Sequence, residues 1–572
     1  MAAALYPSHG RRASATVLRF VQFDLIVIGG GVNGTGIARD AAMRGLKTLM
    51  LEKRDVASGA SGANSGMIHG GIRYLRYDRK VTELACIDSG YIQRIVPHLL
   101  FRIPFIYPLS SSNPEHRSLY ERYVHYGTEV VVGIYDLYQP YKRGLPHVRL
   151  SPEDVYELEP GIRRNLFAGL SMDEWGIDPH RLCTLNAQSA ARHGATVLTY
   201  HQVHGFLRGP GGQVTGVQVR DARTGARAEY HGKLVVNVAG AWSPKVAAMA
   251  GVTVRMRPGK GVHLTLDRRL SNYGVISSAV DGRQIFVMPH EQTSIIGTTD
   301  DDYYGDPDDL RVTQDEVEYL LEGIEHVFPS IREARILRTW AGLRTTLYEY
   351  GQLEDALSRE HAIYDHAAEG APGLYTMLGG KLASYRIQSE EFTDVASRAL
   401  KVDQPCRTHL EVLPGGERFP DVPALAESYR LPEPMVGRMA YRHGANAERI
   451  CELAASDPAL RAPLCRCEQT SYAEAVYCLR EENVRKLTDL RRRCRLGMGP
   501  CQGARCAAPA AALFARERNL SSSEARAELL DFVGARFKGR RPVLDGEQMA
   551  QEELNRGNHF TVGNLDGSAP RG

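Results

Sequence analysis

The chain has 572 residues, 43% of them apolar and 24% charged, and a formal net charge of +3. That length holds two or three domains with sizeable cores, and so small a net charge makes no global case for nucleic acid. No apolar run reaches the ~18 residues needed to span a bilayer, so membrane attachment is expected to be peripheral or through a partner.

Residues 1–22 contain Arg11, Arg12 and Arg19 and no acid. They are expected to form a disordered extension, with a transit peptide as the other reading. The segment lacks the long apolar stretch of a secretory signal, which places the chain in the cytoplasm. Phe23 to Ile28 is a short Ile- and Val-rich run and reads as a buried strand. Gly29, Gly31 and Gly34 follow in G-x-G-x-x-G spacing. They serve a tight turn, close backbone approach to a pyrophosphate, and close packing of the next helix. Residues 33–44 read as that helix and 47–51 as the next strand. Glu52 then stands ~20 residues beyond the glycines, where an acid takes ribose hydroxyls. The whole unit predicts a dinucleotide site. A Gly-rich turn in an ordinary domain leaves Glu52 unexplained.

The Gly- and Ser-rich run 58–71 reads as a loop facing the cofactor, with Lys53, Ser58 and Ser61 among its contacts. A mere linker has no use for Met67, Ile68, His69, Ile72, Arg73 and Tyr74. Residues 78–100 read as a helix, and 101–150 as a substrate or cap region. A helix at 181–193 is followed by strands at 196–200, 214–220 and 233–238. The last of these ends in Ala239-Gly240, at the strand terminus where open α/β sheets bind ligands. Alternation through 251–350 predicts an antiparallel substrate domain. Residues 373–381 form a strand into the Gly379-Gly380 turn, and a helix runs on to about 400. A Pro- and Gly-containing stretch at 404–434 reads as a boundary, 435–455 as helical, and the tail from 540 as poorly ordered.

Six of the ten cysteines lie between Cys465 and Cys506. In a long enzyme-like chain this indicates metal or redox chemistry. Cys465, Cys467, Cys501 and Cys506 form two close pairs. The single-residue gap of the first pair and the nearby glycines suit a [2Fe–2S] cluster better than structural zinc. Cys494 is the rival ligand, and Cys478 is spare.

The glycine loop, HGGIRYL at 69–75, GTTD at 297–300 and LGGKLASYR at 378–386 together resemble FAD-dependent glycerol-3-phosphate dehydrogenases. The tail CRCEQT…CRLGMGPCQGARC resembles the bacterioferritin-associated-ferredoxin-like [2Fe–2S] module. Both modules in this order resemble the anaerobic, multi-subunit branch of the family.

The resemblance implies an α/β fold. A Rossmann-like FAD domain of the glutathione-reductase and D-amino-acid-oxidase type would join an antiparallel substrate domain and a small helical [2Fe–2S] domain. The expected division is an extension at 1–22, an FAD-dependent oxidoreductase domain at 23–400, a linker and helical cap at 401–459, the cluster domain at 460–515, and a C-terminal helix and tail at 516–572. Gly29, Gly31, Gly34, Glu52, Ala239, Gly240, Gly379 and Gly380 would surround FAD. Arg73, Tyr74, Arg344, Arg359 and Lys381 would meet the substrate, sn-glycerol 3-phosphate. A phosphomonoester carries close to two charges and calls for several cations, preferably Arg.

His263 is the first candidate base for the C2 hydroxyl and His69 the second, with Arg344 beside the developing alkoxide. Electrons would pass from flavin through the cluster to a quinone-linked acceptor. Two partner subunits are implied, one a second flavoprotein and the other a membrane-bound iron–sulfur protein. They would hold the chain on the inner face of the membrane. The alternatives are a flavin-dependent amine or hydroxy-acid dehydrogenase, or an electron-transfer subunit with a silent flavin site.

Overall fold

The structure is a computed structural model and describes residues 22–76, 78–111, 118–351, 360–562 and 565. The expected extension at 1–21 lies outside the described residues. The chain opens with β1 (Gln22–Ile28), α1 (Val32–Met43) and β2 (Thr48–Glu52). β1 runs parallel to β2 and to Arg227–Asn237, with Ile28 level with Leu51 and Asn237. Thr196–Thr199 extends the sheet beyond β2, and Leu374–Gly379 extends it beyond Arg227–Asn237. All these parallel strands deliver their carboxyl ends to one edge, where ligands of open α/β sheets sit.

Small residues set how closely α1 lies on the sheet and on the helix beside it. A Cβ on Gly34 would fall 1.9 Å from the Gly29 carbonyl oxygen, and one on Gly36 would fall 2.3 Å from Ser389 Oγ. Helices Pro179–Arg192 and Tyr385–Leu400 complete the layer over this face.

Among the described residues the second sheet has nine strands and is mostly antiparallel. Residues 101–150, expected as a substrate or cap region, divide between this sheet and a helix. β3 (Leu100–Ser110) pairs along its length with Leu166–Ile177. α2 (Arg79–Ile95) is capped by Asp78 and stops before Pro97, short of the expected end at 100. α3 (Leu119–Asp136) begins at a Ser118/Glu121 capping box.

The C-terminal third is helical. One apolar cluster runs from Ala426 to Phe532 and joins Met435, Val436 and Ile450 to Val476, Leu513, Cys465 and Cys506. Residues 422–456, expected as linker and cap, therefore share a core with the cysteine segment. Helices of eight to eleven residues are too short to be stable alone and need a partner for their apolar face. The tail past 540 also departs from expectation. Gly546–Gly557 is a helix, and its Glu552 is buried in ion pairs with Arg536 and Arg540. Burying that carboxylate between two guanidinium groups gives this polar segment a fixed seat.

Buried ion pairs dock the helical domain on the dinucleotide domain. Arg181 binds both carboxylate oxygens of Glu482 at 2.6 and 2.9 Å. Arg493 binds Asp55 through two nitrogens at 2.7 and 2.9 Å.

Candidate active site

A cavity of about 620 Å³ opens at the carboxyl edge of the parallel sheet and continues between the two sheets. Gly29, Gly31, Glu52, Lys53, Ser58, Ser61, Ala239, Gly240, Gly379 and Gly380 all line it. Gly29 has φ +122, and a Cβ there would lie 2.5 Å from the Val238 carbonyl oxygen. Gly379 and Gly380 both have φ +85, a conformation that favours glycine. Ser61 Oγ accepts the N–H of Val32 at 2.9 Å, holding the serine loop against the N-terminus of α1. Ser58 Oγ bonds the Asp55 carbonyl. Glu52 accepts N–H groups from Gly30 at 2.7 Å and Arg54 at 2.8 Å. Each carboxylate oxygen keeps a lone pair for a hydroxyl, and burial pushes the Glu52 carboxyl up. Lys53 ion-pairs with Asp308 at 2.7 Å and lies 4.2 Å from the Trp242 ring centroid.

The other end of the cavity is cationic and aromatic. Arg344, on strand Ile336–Leu347, donates to Asp300 Oδ1 at 2.8 Å, to the Thr299 carbonyl at 3.1 Å and to Thr298 Oγ1 at 3.1 Å. A Cβ on Gly261 would lie 2.7 Å from its Nη2, so that glycine makes room for the guanidinium. Lys381 donates to the Gly70 carbonyl at 3.0 Å, with its ammonium 4.5 Å from the Tyr74 ring centroid. His69 and His263 also line the cavity. His263 stacks on Trp340, its cross-strand neighbour, with ring centroids 5.2 Å apart. Its Nε2 meets Ser65 Oγ at 2.9 Å. Burial, and then the Arg344 charge, hold its pKa near 3, so the ring is neutral at physiological pH.

A second cluster lies in the helical domain. The thiols of Cys465 and Cys506 act on each other, as do those of Cys467 and Cys501. All three other thiols act on Cys506. Cys506, together with the N–H groups of Gly497 and Glu468, holds the Cys465 thiol below its ordinary range against the cost of burial. Four thiols in two facing pairs, with backbone amides on the sulfur, fit a site that holds thiolates around an iron–sulfur group. Cys494 turns away from them. It neighbours Cys478, and its thiol donates to the Leu490 carbonyl at 3.3 Å.

Residues 24–386 match the family model of FAD dependent oxidoreductases, and residues 406–525 match the C-terminal domain of alpha-glycerophosphate oxidase. One subunit of the anaerobic glycerol-3-phosphate dehydrogenase of Escherichia coli (strain K12) is 33% identical over 93% of this chain and 95% of its own. The chain belongs to the FAD-dependent glycerol-3-phosphate dehydrogenase family. The corresponding subunit of the anaerobic enzyme of Haloferax volcanii is 32% identical over 95% of this chain and 91% of its own. The glycerol-3-phosphate dehydrogenase of Bacillus halodurans, solved in complex with FAD, superposes with a TM-score of 0.70. It is 25% identical and covers 92% of this chain and 96% of its own.

Within this family fold, the glycine cradle and Glu52 could hold FAD, and side chains at Gly29 or Gly34 would strike the backbone of that cradle. Of the expected substrate residues, Tyr74, Arg344 and Lys381 line the cavity. Arg359 and the Arg73 side chain lie outside what the structure describes. The sequence reading missed four residues. Asp300 orients Arg344, Ser65 meets His263, and Asp55 anchors the helical domain. Arg283 lines the cavity with Nε and Nη1 buried and without a hydrogen-bond partner among the described residues, the Nε lying 3.8 Å from Asp281 Oδ2. Asp300 stood in the GTTD run as a signal. Nothing in the sequence around Asp55 or Arg283 marks them.

Proposed function

We propose that the chain oxidises sn-glycerol 3-phosphate to dihydroxyacetone phosphate. The observation that carries this reading is a single cavity in which the glycine cradle for FAD continues into a chamber lined by Arg344, Lys381 and Arg283. A phosphate dianion in that chamber would satisfy the buried nitrogens of Arg283 and gain charge-assisted hydrogen bonds from the others. FAD, when bound, supplies the two-electron acceptor for the hydride of C2.

The C2 hydroxyl proton passes to a histidine. His263 is held in the neutral form that can accept it, and His69 is the second candidate on the same wall. A pKa near 3 makes His263 a weak base at neutral pH; a bound phosphate offsetting the Arg344 charge would raise it. Asp300 fixes the Arg344 guanidinium, which then faces the oxygen that loses its proton.

Cys465, Cys467, Cys501 and Cys506 would hold a [2Fe–2S] cluster, which carries electrons singly toward a quinone-linked acceptor. The relatives of the anaerobic type are each named as one subunit of a larger enzyme. Their names support an assembly with further subunits, in this reading a second flavoprotein and a membrane-bound iron–sulfur protein. The chain itself would work on the cytoplasmic face of the membrane.

The test is an anaerobic titration of FAD-loaded protein with glycerol 3-phosphate, followed by visible absorbance and EPR. Flavin bleaching at stoichiometric substrate supports the activity, and a reduced-cluster signal supports the relay. Bleaching by an amine or hydroxy acid in place of glycerol 3-phosphate would overturn it.

A further inference from the structure

Arg491 is a buried cation without a carboxylate. It stands on the short helix Leu490–Cys494, is 7% exposed, and its Nη2 is buried without a hydrogen-bond partner. Among the described residues it makes no ion pair, while its neighbours Arg492 and Arg493 both meet Asp55. A guanidinium keeps its proton at any working pH. A charge left alone in the interior is strongly destabilising, so this one calls for a negative partner.

The carboxylates of this seam are committed elsewhere. Asp55 is taken by Arg493, Glu468 by Arg495, and Glu552 by Arg536 and Arg540 together. Arg338 and Arg492 add positive charge beside Arg491, and the Cys506 sulfur is the group whose charge would oppose them. Arg536, on helix Ser522–Arg540, repeats the pattern. Its Nη2 donates to Glu552 at 2.9 Å, but its Nε and Nη1 are buried without partners, and Cys501 acts on it.

The medium between these cations and the cysteine loop is apolar. The Arg491 guanidinium lies 5.1 Å from the ring centroid of Phe532, which is fully buried. The other side of that ring is pressed on the loop, since a Cβ on Gly497 or on Gly503 would fall 2.7 Å from it. Charges separated by such a layer act on one another with little screening.

A [2Fe–2S] group held by four thiolates carries about two negative charges, and one-electron reduction adds a third. We propose that Arg491, with Arg536 behind it, is the counter-charge of the four-cysteine site and raises the reduction potential of the cluster held there. The step is the gain of one electron, which turns one ferric ion ferrous and breaks no bond. The electron comes from reduced flavin in turnover and from dithionite in the test. The proposal rests on the reading that Cys465, Cys467, Cys501 and Cys506 hold the cluster, and adds what sets its potential. Arg491 and Arg536 are positioning residues in this account, because neither supplies a ligand.

The test is a mediated redox titration, read by EPR, of full-length protein reconstituted with iron and sulfide. At a given poise Arg491→Met should hold at least tenfold less reduced cluster relative to oxidised than the parent, a fall in potential of about 59 mV for one electron. Arg536→Met should shift it the same way by less. Arg491→Lys keeps the charge and should retain the cluster with less than half the shift of Arg491→Met. The iron-free protein gives a second readout. There Arg491→Met removes a charge that lacks its partner, so the variant should melt at a higher temperature than the iron-free parent; a structural arginine would give the reverse. An unmoved potential in Arg491→Met with iron retained, or an iron-free variant that melts lower, would overturn the proposal. Sulfate that stabilises the iron-free parent but not the iron-free variant would also overturn it, by making a soluble anion the partner of Arg491. A parent that holds no iron would overturn the cluster reading itself and the proposal with it, whereas iron held at an unmoved potential overturns the proposal alone.

Discussion

Arg493 and Asp55, 438 positions apart in the chain, form a two-nitrogen ion pair in which both side chains are 1% exposed. The pair joins the cysteine-bearing domain to the segment that follows Glu52. Removing one partner leaves the other charged and buried, which typically costs 3–5 kcal/mol. Asp55→Ala is therefore expected to lower stability by about 4 kcal/mol and to open the seam to limited proteolysis. Chemical denaturation measures the first effect. A variant as resistant as the parent to both treatments would refute this role.

Gly34 and Gly534 should behave in opposite ways. Gly34→Val sets a side chain where the first carbon already lies 1.9 Å from the Gly29 carbonyl oxygen. The expected product is protein purified without flavin colour. At Gly534, inside helix Ser522–Arg540, a Cβ meets nothing within 4 Å. Gly534→Ala should raise stability by about 0.5–1 kcal/mol through helix propensity. The visible spectrum and a thermal melt decide both cases.

Arg344→Lys keeps a charge but loses the fork that spans Thr298, Thr299 and Asp300. It should lower kcat/KM for glycerol 3-phosphate by about 10²-fold, and Arg283→Gln by about tenfold, chiefly through KM. Bound flavin should stay stoichiometric in both. If flavin is lost instead, these cations hold the cofactor and the substrate pocket lies elsewhere.

The cysteines should divide into two classes. Cys465→Ser or Cys506→Ser should abolish iron retention after anaerobic reconstitution, while Cys478→Ser should keep it, because Cys478 faces Cys494, His443 and Glu482 rather than those four thiols. Iron retained by Cys506→Ser, or lost from Cys478→Ser, would show that the wrong four sulfurs have been grouped.

Buried histidines make the fold acid-sensitive. Burial holds His98, His180 and His263 near pKa 3 and His290 near 4, against about 6.5 in an unfolded chain. Above pH 6.5 they are neutral in both states and their contribution is fully present. As pH falls from 6.5 toward 4, the unfolded chain takes up protons that the folded chain refuses. Stability then drops by about 1.4 kcal/mol per pH unit for each histidine. Both ring nitrogens of His98 are buried without hydrogen bonds, so His98→Leu should flatten the slope by about one proton. An unchanged slope would remove His98 from this account.

The parts of the fold that were legible in the sequence are those whose physics is local. A pyrophosphate turn needs glycines at fixed spacing, so Gly29, Gly31 and Gly34 announced the first strand, helix and acid, and the alternation after residue 251 announced an antiparallel sheet. β3 was not legible, because Pro104 and Pro108 interrupt its alternation and its register comes from a partner strand more than fifty residues away. Asp55 and Arg283 left no trace for the same reason. Their significance lies in what the fold brings to them from elsewhere in the chain. The helix after residue 545 was hidden by polarity, since the interaction that seats it is a buried ion pair rather than an apolar stripe.

The shared core of residues 426–532 bears on how the cysteine-bearing segment can be recombined. A graft cut at residue 460 would carry four cysteines but strip the floor beneath them, exposing the faces that Met435, Val436 and Ile450 cover. The unit of exchange begins upstream, between Leu400 and Asp421. Even there, a recipient must supply counterparts to Arg181 and Asp55 for Glu482 and Arg493. Lineages that exchanged this cysteine-bearing segment by domain shuffling would carry those two partners as a matched signature in the dinucleotide domain.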